Sequence, residues 1–148
     1  MTLFIQNVGA GDIPSGNHFD CGENSMLIQI SDPFAAQSEL QFGCTPWFPV
    51  PKHKFKEVYQ FQFLDIWEDD VRAAQYGITD EQAAHLVLLL QHALQERMQV
   101  VVHCFAGVCR SGAVAEIGIQ MGFTDTKKFR LANPWVKQKM SAVLDKLT

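Results

Sequence analysis

The chain alternates short apolar runs with stretches of helical periodicity. Leu3–Val8 reads as a short edge strand. Met26–Ile30 (MLIQI) is a compact apolar run closed by the turn signal Ser31-Asp32-Pro33, and reads as a buried strand. Residues 57–64 (EVYQFQFL) alternate apolar and polar positions as a half-buried strand does, then run into the acidic stretch Asp65-Ile66-Trp67-Glu68-Asp69-Asp70. Thr79-Asp80-Glu81-Gln82 is a capping box. Behind it Ala83, Leu86, Val87, Leu90, Leu94 and Met98 recur at helical spacing, with Leu88 and Leu89 widening the apolar face, so a helix is expected to about Met98. Gln99–His103 (QVVVH) is β-branched and reads as a buried parallel strand. Ser111–Ile119 predicts a helix rich in small residues. Asn133-Pro134 opens a last amphipathic helix, with proline at its first position. The turn-rich stretch 9–24 and the aperiodic stretch 33–56 read as loops.

Strand, helix and strand in this order predict an α/β fold. The expected architecture is a central, mostly parallel β-sheet of four or five strands flanked by helices, in one domain spanning 1–148. Sites in such sheets form at the carboxyl ends of the strands. Two segments bring chemistry to that rim: 65–70 and 103–111.

Composition narrows the partners. With 148 residues, 47% of them hydrophobic, the chain can bury a core without staples. A net charge of −4 argues against a nucleic-acid partner, whose phosphates demand positive surface. No apolar run is long enough for a bilayer, and the N-terminus lacks the basic and apolar regions of a signal peptide, so a cytoplasmic monomer without a membrane partner is expected. Of Cys21, Cys44, Cys104 and Cys109, only the last two are close in sequence, and no second His/Cys cluster accompanies them. Neither metal nor cofactor is expected. Cys21 and Cys44 are expected in the core, His18, His53, His85 and His92 at the surface or in loops, and Lys52, Lys54 and Lys56 in a solvated basic patch.

The informative segment is VVVHCFAGVCRSG. A buried strand delivers Cys104; five residues later come Arg110, Ser111 and the start of a helix. The N–H groups of Phe105, Ala106, Gly107, Val108, Cys109 and Arg110 can turn around one point, where the helix N-terminus adds its partial positive charge. That is a nest for an anion of phosphate size, and its field also favours a thiolate at Cys104. Arg110 can hold two phosphate oxygens in a fork that lysine lacks. Gly107 permits a positive φ. Ser111 can hydrogen-bond to the sulfur, His103 can orient the loop through its ring N–H, and Gly112 would let the helix pack close to the sheet. Cys109 is either a small buried side chain or an oxidation partner of Cys104.

His-Cys-x5-Arg-Ser with Gly107 between resembles the signature of the protein tyrosine phosphatase superfamily. Five fixed residue types would coincide by chance in about one chain of this length in twenty thousand. The FLDI strand end, the helix after it and the NPWVKQKM stretch resemble the compact dual-specificity branch, in its small bacterial and phage-like members; the likeness is good over about residues 58–122. The resemblance implies metal-free hydrolysis of a phosphorylated protein or peptide through a phosphocysteine, with Cys104 as nucleophile, Arg110 binding phosphate and a carboxylic acid serving the leaving oxygen. The small bacterial-type pattern puts that acid at Asp65. The larger enzymes place it farther along, which brings in Asp69 and, behind it, Asp70. The rival readings are a rhodanese-like sulfurtransferase, disfavoured by the Arg-Ser end, and a phosphate-binding module without turnover. A lipid phosphatase is ranked low because Phe105, Ala106, Val108 and Cys109 are uncharged.

Overall fold

The computed structural model describes residues 2–34, 46–67 and 75–147. Cys44, Glu68, Asp69 and Asp70 lie outside the described residues.

Among the described residues, five strands form one sheet: β1 (Phe4–Gly9), β2 (Ser25–Ser31), β3 (Glu57–Gln62), β4 (Gln99–Cys104) and β5 (Thr124–Asp125). Their order is β3-β2-β4-β1-β5, and every pairing is parallel. Among the described residues, the complete helices are α1 (Asp12–Ser15), α2 (Asp80–Gln95), α3 (Arg110–Met121) and α4 (Pro134–Leu147). The protein is therefore α/β, as the strand–helix alternation predicts.

Parallel strands are buried on both faces, and β2 shows it: all seven of its residues are buried. Side chains alternate between faces. Ile5, Met26, Ile28, Ile30, Val100, Val102 and Cys104 join one core with the buried stripes of α2, α3 and α4. Val8, Leu27 and Val101 meet Ile13, Cys21 and Phe55 on the other face, under α1 and loops. Cys21 is thus a core residue, as expected.

Several expectations are corrected. Leu3–Val8 is no edge: β1 lies inside the sheet, because the two-residue β5 pairs with Phe4 and Ile5. The 9–24 stretch contains the short helix α1. The capping box at Thr79 and Gln82 is present, but α2 ends at Gln95, and Leu88 points to solvent at 51% exposure. The packing role expected of Gly112 against the sheet belongs to Gly118, where a Cβ would lie 2.7 Å from Ile5 Cδ1. At Gly112 the close neighbour is Arg130, with its Cβ at 2.9 Å. His18 and His53 lie in loops, as expected, and their rings meet each other and Phe55 at 4.7–5.8 Å between centroids.

Candidate active site

Strand β4 ends on Cys104 opposite Gly9 of β1, and α3 begins at Arg110. The five residues between them form a loop whose carbonyls are pulled outward from several directions. His103 Nδ1 lies 3.2 Å from the Cys104 carbonyl. Ala10 N donates to Phe105 O at 3.0 Å. Asn7 Nδ2 donates to Gly107 O at 2.6 Å. Leu131 N donates to Val108 O, and Asn133 N and Ala113 N donate to Cys109 O. No peptide here is cis. In a trans peptide the C=O and the following N–H point in opposite directions. Five outward carbonyls therefore turn five N–H groups, those of Phe105, Ala106, Val108, Cys109 and Arg110, toward the concave side. Such a cluster of donors, at the N-terminus of a twelve-residue helix, attracts an anion.

Glycine at 107 is a steric requirement. Its φ is +78°, and a Cβ there would sit 2.3 Å from the Val8 carbonyl carbon and 2.4 Å from Gly9 N. The loop rests directly on the β1 backbone, where no side chain fits.

Cys104 is 3% exposed, and its Sγ lies 3.2 Å from Ser111 Oγ. Arg110 is 5% exposed. Its Nη1 donates to Asp32 Oδ1 and to Phe63 O, both at 2.8 Å. The guanidinium is thus fixed by the ends of β2 and β3, and the partner carboxylate is also buried. A buried charge needs such a partner.

His103 is wholly buried. A carbonyl only accepts, so Nδ1 carries the ring proton, while Nε2 has no hydrogen-bond partner among the described residues. Burial, reinforced by the nearby Arg110 charge, lowers the His103 pKa to about 4. The ring is neutral at physiological pH and acts as a strut, not as an acid.

Asp65, exposed just past β3, faces the loop from the side. Its Oδ1 accepts from Asn133 Nδ2 at 2.5 Å. It also hydrogen-bonds to the Cys109 thiol, which burial, followed by the Asp65 charge, pushes upward in pKa. Sequence reasoning put Cys104, Arg110, Asp65, His103, Gly107 and Ser111 in one place, and the structure brings them together. Asp69 lies outside the described residues. Three bracing residues escaped: Asn7, Asp32 and Asn133. Asp32 read only as part of a turn signal and Asn133 only as a helix start.

A cavity of about 720 Å³ lined by Glu23, Asn24, His53, Lys54, Phe55, Lys56 and Glu96 lies at the other end of the sheet, where β2 and β3 begin. It shares no residue with the Cys104 loop. Among the described residues, no group of three or more His, Cys, Asp or Glu side chains is placed to hold a metal ion. No described helix is long and apolar enough to cross a membrane.

No family model matches the chain, and no curated protein does. Among solved structures, it is similar to OH1 from the Orf virus, a tyrosine phosphatase described as displaying triple substrate specificity. The TM-score is 0.49 at 20% identity, over 81% of this chain. The chain spans 56% of the length of that structure.

Proposed function

We propose that the chain is a cysteine-dependent phosphatase that hydrolyses phosphotyrosine, with phosphoserine and phosphothreonine as further substrates, in the manner of the compact dual-specificity branch its motif resembles. The observation that carries this reading is the loop itself: five N–H groups turned inward around a buried sulfur, with a pinned guanidinium at the rim. Exposed Phe105 and Trp67 flank the loop and the Asp65 segment, and offer apolar surface to an aromatic leaving group.

In the first step the Cys104 thiolate attacks phosphorus in line, forming S–P as the P–O bond to the leaving group breaks. Asp65 gives its proton to the departing oxygen. The loop N–H groups and Arg110 hold the three equatorial oxygens as their charge is redistributed. In the second step the Asp65 carboxylate takes a proton from water. The water oxygen attacks phosphorus, the S–P bond breaks, and Ser111 Oγ–H stabilises the returning thiolate. Inorganic phosphate leaves and Asp65 is again protonated, so the cycle closes without an external reductant or oxidant.

The test is hydrolysis of p-nitrophenyl phosphate and of a phosphotyrosine peptide in the presence of a chelator. Wild type is expected to turn over both. Cys104→Ser is expected to abolish turnover while retaining inorganic phosphate binding. Turnover by Cys104→Ser refutes the nucleophile, and thiocyanate formation from thiosulfate and cyanide in place of phosphate release would favour the sulfurtransferase.

A further inference from the structure

Asn133 has no exposed surface, yet it precedes a helix on the outside of the sheet. Every polar group on it is engaged. Its Oδ1 accepts from Val136 N at 3.0 Å and caps α4. Its Nδ2 donates to Asp65 Oδ1 at 2.5 Å and to Ile66 O at 3.1 Å. Its backbone N–H donates to Cys109 O at 2.9 Å, and its carbonyl accepts from Lys137 N at 3.0 Å. The amide orientation is fixed by chemistry: Val136 N–H can only donate, so the atom facing it is the oxygen and the atom facing Asp65 is the nitrogen.

We infer that Asn133 is the positioning residue for the acid: it ties the Asp65 carboxyl to the phosphate loop and dictates which carboxyl oxygen carries the proton. The inference rests on Asp65 acting as proposed above. An amide N–H donates whether the carboxyl is charged or neutral. With Oδ1 held as acceptor in both states, the transferable proton belongs to Oδ2. A lysine here would favour the anion by its charge and oppose the protonated form needed in the first step. A neutral donor serves both steps. Because the same residue grips Cys109, the carboxyl and the loop that holds phosphorus share one anchor, and small misplacements in such an arrangement are costly in rate.

The experiment compares phenyl phosphate, whose poor leaving group needs a proton, with 2,4-dinitrophenyl phosphate, whose leaving group does not. Asn133→Ser keeps a capping oxygen and removes the donor to Asp65. It is expected to lower kcat on phenyl phosphate about 10- to 100-fold and on the dinitrophenyl ester less than about threefold. In an Asp65→Asn background the same change is expected to leave the ratio of the two rates unaltered. Should Asn133→Ser fail to fold, Asn133→Asp, which keeps the cap acceptor and sets a carboxylate against Asp65, carries the same comparison. An equal loss on both substrates, or an undiminished effect in the Asp65→Asn background, overturns the inference. If Asp65→Asn itself shows no leaving-group dependence, the acid assignment and this inference fall together. The phosphatase reading falls separately, only if Cys104→Ser turns over.

Discussion

The neutral, buried imidazole of His103 makes a quantitative demand on stability. In the unfolded chain it titrates near its ordinary 6.5; in the fold, burial and the Arg110 charge lower it to about 4. Above pH 6.5 the ring is neutral in both states and contributes nothing to pH dependence. As pH falls from 6.5 toward 4, the unfolded chain takes up a proton that the native state refuses, so stability falls with it. With 1.36 kcal/mol per pH unit of difference between the two states, the loss attributable to this one ring is about 2 kcal/mol at pH 5 and about 3 kcal/mol at pH 4. Below pH 4 the native state also binds the proton and the loss levels off.

The perturbation is His103→Asn, which keeps an N–H to offer the Cys104 carbonyl and removes the titration. Urea unfolding of both proteins at steps between pH 7.5 and 4 gives the two curves. The variant is expected to be less stable at pH 7.5, because the imidazole leaves a void. The informative quantity is the change with pH. The other four histidines and all carboxylates are common to both proteins, so wild type should lose about 2 kcal/mol more than the variant between pH 7.5 and 5. Parallel curves over that range would refute the claim that this ring is held neutral by burial.

Other outcomes follow from the same geometry. Gly107→Ala should cost about 3 kcal/mol of stability and most of the phosphate affinity, because strain at positive φ adds to a backbone clash with β1; thermal melts and phosphate titration measure both. Arg110→Lys should cost about 3 kcal/mol in kcat/KM on aryl phosphates through loss of the two-oxygen fork. Asp32→Ala should destabilise by about 3 kcal/mol in denaturant unfolding, since it leaves a buried guanidinium uncompensated. Asp65→Asn should slow poor leaving groups about 100-fold or more and Asp69→Asn should not, and a series of aryl phosphates decides between them.

What was legible in the sequence was what is contiguous in it. Strand β4, the Cys104 loop and the first turn of α3 occupy one uninterrupted segment, so motif spacing and strand–helix context fix their geometry together. Asp65 was reachable because it closely follows a strand of clear alternation. The braces were not, because each reaches the site across the fold: Asn7 bonds to a residue 100 positions away, and Arg110 bonds to Asp32 across 78. A lone Asn in a strand or an Asp after one carries no periodic signal. The misplacement of β1 at an edge has a similar cause. Alternation reports which faces of a strand are buried, not which strands lie beside it, and β5 is two polar residues with no apolar pattern of its own.

The Asp32 contact also determines which edge of Arg110 is presented to a ligand. Guanidinium carries five N–H donors in a plane. The two on Nη1 are taken by Asp32 Oδ1 and Phe63 O, one from the end of β2 and one from just past β3. The remaining three belong to Nε and Nη2, which form an edge with two parallel N–H directions. That edge matches two oxygens of a tetrahedral anion. A carboxylate at 32 therefore does more than neutralise a buried charge: by occupying one nitrogen it orients the other two, and two strands that contribute nothing to the loop set how the loop's arginine would meet an anion.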